Sequence, residues 1–352
     1  MMERSADQTA RRRRVPKGSL ARAGVAALAA LAVATLLACD GAGILSGSEG
    51  QRDTDGQPPA DAKFERGEDW RHLHQVLAYL EEYPPEGPVV YLLGGSAARE
   101  STVSDRSWRR EVDRAGGPRV EVFNLAASNQ SFDHSITIVE RLPDAPSLVI
   151  IGVNVGRYTN GEPDTPGSAE LPLKGYEPQK GDPVIEPYTQ HRFKVDRIDS
   201  EAKKRGLLDT WELKNHPVFS ERFDYNAGRL EALVQACLDR GFRPVILNMP
   251  LNLEIIGDRM DEPRARYERH SRAVAARYDI PFVDWVPRID LVNEDFMDNW
   301  HLVEPGRVKW QTKLSALTVT LLRRYGLAED AAEGVGAEAP DAPTPDDDSG
   351  TQ

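Results

Sequence analysis

The sequence predicts an α/β chain, a three-layer α/β/α domain on a central parallel five-stranded sheet. Two observations predict it. Five short apolar runs, rich in β-branched residues, each fit a strand buried on both faces. Between them lie longer segments with helical spacing, and strands alternating with helices are the pattern of a parallel sheet whose crossovers are helices. The chain has 352 residues, of which 40% are hydrophobic, enough for a substantial core. It contains no internal repeat.

The elements follow in order. A helical pattern, EDWRHLHQVLAYLEEY, precedes the first strand, PVVYLLGG. The helix RSWRREVDRAG leads to the second strand, RVEVFNLAA, and SFDHSITIVERL leads to the third, SLVIIGVN. Residues 156–222 are far longer than the usual strand-to-helix loop of about 2 to 6 residues and are rich in Gly and Pro. They are read as an insertion in which DSEAKKRGLLDTWELKN forms a short helix. It either covers the site or lies at the periphery. The helix FDYNAGRLEALVQACLDRGF then precedes the fourth strand, RPVILNMPLN, and EPRARYERHSRAVAARYD precedes the fifth, IPFVDWV. A final helix, PGRVKWQTKLSALTVTLLRRYG, closes the domain at residue 327.

The two ends stand apart from residues 67–327. At the start, RRRRVPKGSLAR followed by AGVAALAALAVATLLAC has the basic and then apolar layout of a secretory signal. An apolar segment directly after four arginines argues against a nucleic-acid patch. The run Ala23–Ala38 is short for a bilayer span, which takes about 20 residues. Leu36–Cys39, LLAC, resembles the bacterial lipobox, which implies that residues 1–39 are signal peptide and that acylated Cys39 anchors the protein to a membrane outside the cytoplasm. A single uncleaved anchor or plain secretion is the alternative. Residues 40–66 read as a polar linker. Residues 328–352 hold eight acidic residues and no basic ones, so they are expected to be a disordered tail. That tail carries much of the net charge of −12.

Cys237 is the only other cysteine. With Cys39 acylated no intrachain disulfide is possible, and Cys237, on the apolar face of a helical pattern, is expected to be buried. A thiol nucleophile or a cysteine-based zinc site is not supported.

In such a sheet, functional groups collect on the loops at the carboxyl ends of the strands. Ser96 follows the first strand, Asn124 the second and Asn154 the third. Asp298 and His301 sit after the fifth strand, just before the last helix. Their chemistry is complementary. A serine that attacks an ester needs a base to take its proton and a carboxylate to orient that base. It also needs donors for the oxygen that turns negative. Ser96, His301 and Asp298 suit the first three roles. The backbone N–H groups of Ser96 and Ala126 and the side-chain amide of Asn154 suit the last, and a helix beginning at Ser96 adds its positive end.

Four blocks in order, Gly94-Gly95-Ser96, Asn124-Leu125-Ala126, Gly152-Val153-Asn154 and Asp298-Asn299-Trp300-His301, resemble those of the SGNH or GDSL hydrolases. The resemblance spans roughly residues 89–325 and implies their flavodoxin-like sheet, with Ser96 as nucleophile. The chain departs from the family pattern at three places: Gly95 stands for Asp, Ala126 for Gly, and Val155 for Asp.

Other residues compete for roles. His134 directly follows the second strand and is a candidate substrate contact. So is Asn124, at the active edge. Arg99 and Arg157 each either bind an anionic substrate or serve as structural ion-pair partners. Asp295 is a weaker candidate orienter than Asp298 only on spacing. His72 and His74 read as surface or packing residues, His191 and His216 fall in the insertion, and His270 lies in an Arg-rich helix. No His-x-x-x-His or carboxylate cluster suggests a metal, and GGSAARES lacks the lysine of a phosphate loop, so no cofactor is expected. The sequence thus predicts an extracytoplasmic serine esterase or deacylase acting on an O-acyl ester of a glycan, an envelope component or a small molecule. Two alternatives stay open: an O-acyltransferase acting on an envelope glycan, and a lipoprotein that binds a glycan or other ligand without turnover.

Overall fold

The computed structural model describes residues 68–161, 170–172, 187–189, 194 and 196–327. All of them lie in the compact unit Ala60–Gln352. The expected signal segment, Cys39, the linker, His191 and the acidic tail fall outside the described residues.

Five parallel strands form one sheet in the order β2-β1-β3-β4-β5: β1 Val89–Leu93, β2 Glu121–Asn124, β3 Ser147–Val153, β4 Arg243–Asn248 and β5 Phe282–Val283. The expected three-layer fold is present. Side-chain alternation along the strands divides the core in two. Val89, Tyr91 and Leu93 point into one apolar cluster and Val90 and Leu92 into the other. On β3, Val149, Ile151 and Val153 oppose Leu148 and Ile150 in the same way.

The first cluster packs the sheet against α1 Glu68–Glu82, α4 Phe132–Arg141, α6 His216–Asp239 and α8 Asp261–Arg277. On α1 the buried residues Leu73, Val76, Leu77 and Leu80 repeat at the spacing of a single helical face. The second cluster seats α3 Asp105–Arg114 through Trp108 and Val112, and α9 Glu304–Arg324 through Trp310 and Leu314. Among the described residues three further α-helices are short or peripheral: α2 Ser96–Arg99 and α7 Leu253–Ile256 are single turns, and α5 Glu201–Thr210 lies within the insertion. Cys237 is buried and free, as its place on an apolar face predicts.

Three elements differ from the sequence reading. The helix expected from Phe223 instead begins at His216, and a π-helical turn, Trp211–Asn215, joins it to α5. Pro217 follows the π-helical turn directly, at the start of α6. The fifth strand shrinks to two half-buried residues. Beyond them Asp284 accepts from Asn248 Nδ2 at 3.1 Å and from the Val286 N–H at 3.2 Å, which turns the chain off the sheet. A 3-10 turn, Asn293–Asp295, precedes the last loop and had no signal in the sequence.

Topology fixes where a site can form. The strand order reverses at β1, so a crevice opens between the carboxyl ends of β1 and β3. Leu93 pairs in register with Ile151, which sets Ser96 and Asn154 equally far beyond the sheet. The β1–α2 turn is tight. A Cβ on Gly94 would stand 2.5 Å from Ala98 Cβ, whereas one on Gly95 would meet only Arg157 Cδ at 3.7 Å. Gly94 is therefore required by close packing, and Gly95 is not.

Gly94→Ala is expected to cost roughly 1–3 kcal/mol through overpacking, and Gly95→Ala less than about 0.5 kcal/mol. Paired denaturant titrations of the two variants check this contrast.

Candidate active site

Ser96 is the first residue of α2 and is half-buried. Its helix is a single turn, so the expected dipole contribution reduces to the first N–H groups, which have no partner within a helix of this length. Asn124 anchors the other end of that turn. Its Nδ2 donates to the Ala98 carbonyl at 3.0 Å and to Thr102 Oγ1 at 2.9 Å.

His301 reaches Ser96 from a hairpin. Phe296 and Leu302 form an antiparallel bridge, and the Met297 N–H donates to the His301 carbonyl at 2.8 Å. Within this hairpin Asp298 Oδ1 accepts the backbone N–H groups of Trp300 and His301 at 3.0 and 2.9 Å. The turn that aspartate favours thus fixes the spacing of Asp-x-x-His. Asp298 Oδ2 lies 2.7 Å from His301 Nδ1, and His301 Nε2 lies 2.8 Å from Ser96 Oγ. A carboxylate only accepts, so Nδ1 carries the proton and Nε2 offers its lone pair to the Ser96 O–H.

The electrostatics agree with this tautomer. Burial pushes the Asp298 carboxyl up, but the His301 ring and the hydrogen bonds from His301 and Trp300 outweigh it and hold the group below its ordinary value. Asp298 therefore stays ionised at neutral pH, as an orienting carboxylate must. Asp295 is committed elsewhere: its Oδ2 accepts from the Val292 N–H at 2.9 Å and from Lys309 Nζ at 2.7 Å.

The donors expected for an oxyanion divide. Asn154 caps the 3-10 turn Val155–Tyr158 by accepting the Arg157 N–H at its Oδ1, 3.2 Å away, which turns the amide NH2 to the other side. That leaves a donor at the carboxyl end of β3. The Ala126 N–H departs from expectation, because it donates to Asn124 Oδ1 at 3.1 Å. The cause is local: the Asn124 side chain folds back on the residue two places ahead, as asparagine does in turns.

The candidate substrate contacts are engaged in the structure. Asn124 is fully buried and braces α2, as described. Arg99 is buried and paired with Asp69 and Glu100, the structural role weighed for it. His134 occupies the third position of α4 in a capping box, its Nδ1 accepting the Ser131 N–H at 3.1 Å while Ser131 Oγ accepts the His134 N–H. Its ring lies edge-on to Trp70 at 5.0 Å.

Arg157 fits neither of the roles expected for it. Only 1% of it is exposed, and it pairs with no carboxylate among the described residues. Its guanidinium donates to Ser135 Oγ at 2.9 Å and to Gln130 Oε1 at 3.4 Å, and it lies over the Phe132 ring at 4.4 Å. Burial lowers its pKa to about 9, so it keeps its charge at neutral pH.

Sequence reasoning missed several supporting residues. Gln130 Oε1 accepts the Gly94 N–H at 3.0 Å and its Nε2 donates to the Leu125 carbonyl at 2.8 Å, which ties the first loop to the second. Asn252 donates from Nδ2 to the Asp298 carbonyl at 3.2 Å. A glutamine or asparagine in a loop carries no pattern that announces such a bond. Among the described residues, no group of three or more His, Cys, Asp and Glu side chains is arranged to hold a metal ion, and no helix is long and apolar enough to cross a membrane.

No protein-family model and no curated protein matches the chain. Solved structures that it resembles include a catalytic mutant of an acetylxylan esterase from Geobacillus stearothermophilus, at 12% identity and a TM-score of 0.40, covering 69% of this chain and 96% of that one. A putative acylhydrolase from Bacteroides fragilis matches at 11% identity and a TM-score of 0.37, over 75% of this chain and 99% of that one. A GDSL-like lipase from Bacteroides thetaiotaomicron matches at 12% and 0.35, over 72% and 98%.

His134 gives a pH test. Burial, and after it the Arg157 charge, push its pKa down from 6.5 to about 4. The unfolded chain then binds the proton more readily than the fold, so stability falls as pH drops from about 6.5 to about 4 and levels off below that. His134→Gln keeps a capping-box side chain without the titration. Chemical denaturation across this pH range is expected to show a smaller acid loss for the variant than for the wild type.

Proposed function

We propose that the protein is a serine ester hydrolase that forms an acyl-enzyme on Ser96. The observation that carries this reading is the continuous hydrogen-bonded line from Asp298 through His301 to Ser96, with both links under 3 Å. Ser96 Oγ attacks the ester carbonyl carbon while His301 Nε2 takes its proton, and Asp298 stabilises the resulting imidazolium. The carbonyl oxygen becomes negative and is held by the Ser96 N–H and the Asn154 amide, each such donor contributing about 3–4 kcal/mol in comparable sites. The imidazolium then protonates the departing alkoxide, leaving an acyl-serine and a free alcohol. Water, deprotonated by the same histidine, attacks the acyl-serine and releases a carboxylic acid.

The substrate class that suits this chemistry is an O-acyl ester of a glycan, an envelope component or a small molecule. An extracytoplasmic setting, with Cys39 acylated and the protein held at a membrane surface, rests on the basic, apolar and LLAC segments of residues 11–39. Metabolic labelling with a fatty-acid probe is expected to mark the wild type and to leave Cys39→Ala unmarked. Equal labelling of both would remove the anchor from the proposal.

A fluorophosphonate probe and hydrolysis of p-nitrophenyl acetate test the chemistry. Covalent labelling is expected in the wild type and absent in Ser96→Ala. Asp298→Asn, which favours the wrong tautomer of His301, is expected to lower kcat about 10⁴-fold. Wild-type protein that neither labels nor hydrolyses short acyl esters would falsify the catalytic reading in favour of a binding protein.

A further inference from the structure

The far end of the insertion runs along the back of the loop that carries Asp298 and His301. The Asp199 N–H donates to the Met297 carbonyl at 2.9 Å. Asp196 Oδ1 accepts the Glu304 N–H at 3.0 Å and pairs with Arg307 at 2.8 Å, so a residue of the insertion caps α9 directly after the loop. The deepest tie is Lys204 on α5, which is fully buried. Its ammonium donates to the Asn293 carbonyl at 2.8 Å, Asn293 Oδ1 at 2.7 Å and the Phe296 carbonyl at 2.9 Å. The Lys204 carbonyl in turn accepts from Asn299 Nδ2 at 2.9 Å.

An ammonium has three protons, and these three oxygens account for all of them. No carboxylate lies within ion-pair distance of Lys204 among the described residues. Enclosing an ammonium with no carboxylate in direct contact is unfavourable unless oriented dipoles replace the lost water; Asp298, Glu294, Asp199 and Glu201 act on it only from farther off. Here every dipole comes from the stretch between residues 293 and 296, which opens the hairpin of His301. Seating α5 does not require the charge, because Leu208 and the adjoining Trp211 anchor it in the apolar core.

We propose that Lys204 is a positioning residue for the acid–base loop. By gripping Asn293 and Phe296 at the base of the hairpin and Asn299 beside its tip, it fixes the point from which His301 reaches Ser96. The inference rests on the reading of Ser96 and His301 as nucleophile and base. It also gives the insertion a role at the site, as the outer wall of the loop rather than as a peripheral addition.

Lys204→Met keeps the length of the chain and removes the donors, and Asn299→Ala removes only the return bond. The test measures kcat and KM on p-nitrophenyl acetate for each variant, with active sites counted by fluorophosphonate titration so that unfolded protein does not enter the rate. In Lys204→Met, kcat per labelled Ser96 is expected to fall between about tenfold and a hundredfold, the usual consequence of a misplaced catalytic group. KM is expected to stay within about twofold. Asn299→Ala shifts the same way by less, and it alone decides if Lys204→Met does not fold. A wild-type kcat per labelled site in the folded variants would overturn the positioning role while leaving Ser96 as the nucleophile. Wild-type protein that does not label would overturn the nucleophile, and this inference with it.

Discussion

The hydrogen bond between Ser96 and His301 joins residues 205 apart in sequence, and the rest of the site is arranged so that it can form. Neither partner could hold it alone. A hydroxyl on a flexible loop and an imidazole on another would lose more conformational entropy than one hydrogen bond returns. Both sides are therefore fixed beforehand. Ser96 starts a helical turn pressed against β3 through Ala98 and Gly152, and Asn124 grips the end of that turn. His301 sits in a hairpin whose Asp298 is bonded to the backbone on one oxygen and to the ring on the other. The bond then costs little further order, and the hydroxyl is held oriented at the crevice.

How much of this was legible in the sequence depends on how local each determinant is. The strands could be read because burial on both faces writes a continuous apolar run. Asp298 and His301 could be paired because the turn that brings them together is made by residues 298–301 themselves. Ser96 and Asn154 could be placed at one rim because parallel strands in register set their loops at one level. Ala126 could not be read in the same way. Its position in the second block is right, but the direction of its N–H depends on the side chain of Asn124. Arg99 and Arg157 look alike in the sequence, each a few residues past a strand. Only the fold shows that one meets Asp69 and Glu100 while the other is enclosed among Phe132, Ser135 and Gln130. Lys204 was hidden for the same reason, since its partners lie about 90 residues away.

The charges around the site form two groups with different physics. Asp69, Arg99, Glu100, Arg307 and Asp196 make a chain of alternating sign that links α1, α2, α9 and the end of the insertion. Its members largely neutralise one another, so its contribution is to register, holding the turn that carries Ser96 against the helix that follows His301. Arg157 and Lys204 are different. Each is a buried cation that faces uncharged oxygens or a ring instead of a carboxylate. Such groups are stable only where backbone and amide dipoles have been oriented toward them.

Gly95 lies beside one of these cations. A Cβ at residue 95 would stand 3.7 Å from Arg157 Cδ, so the aliphatic part of that buried cation passes next to the residue that precedes Ser96. At this edge the Ala126 N–H is engaged with Asn124 Oδ1, while the Arg157 guanidinium has no carboxylate partner among the described residues. Positive potential at this edge of the sheet therefore comes from an enclosed side chain rather than from the Ala126 N–H.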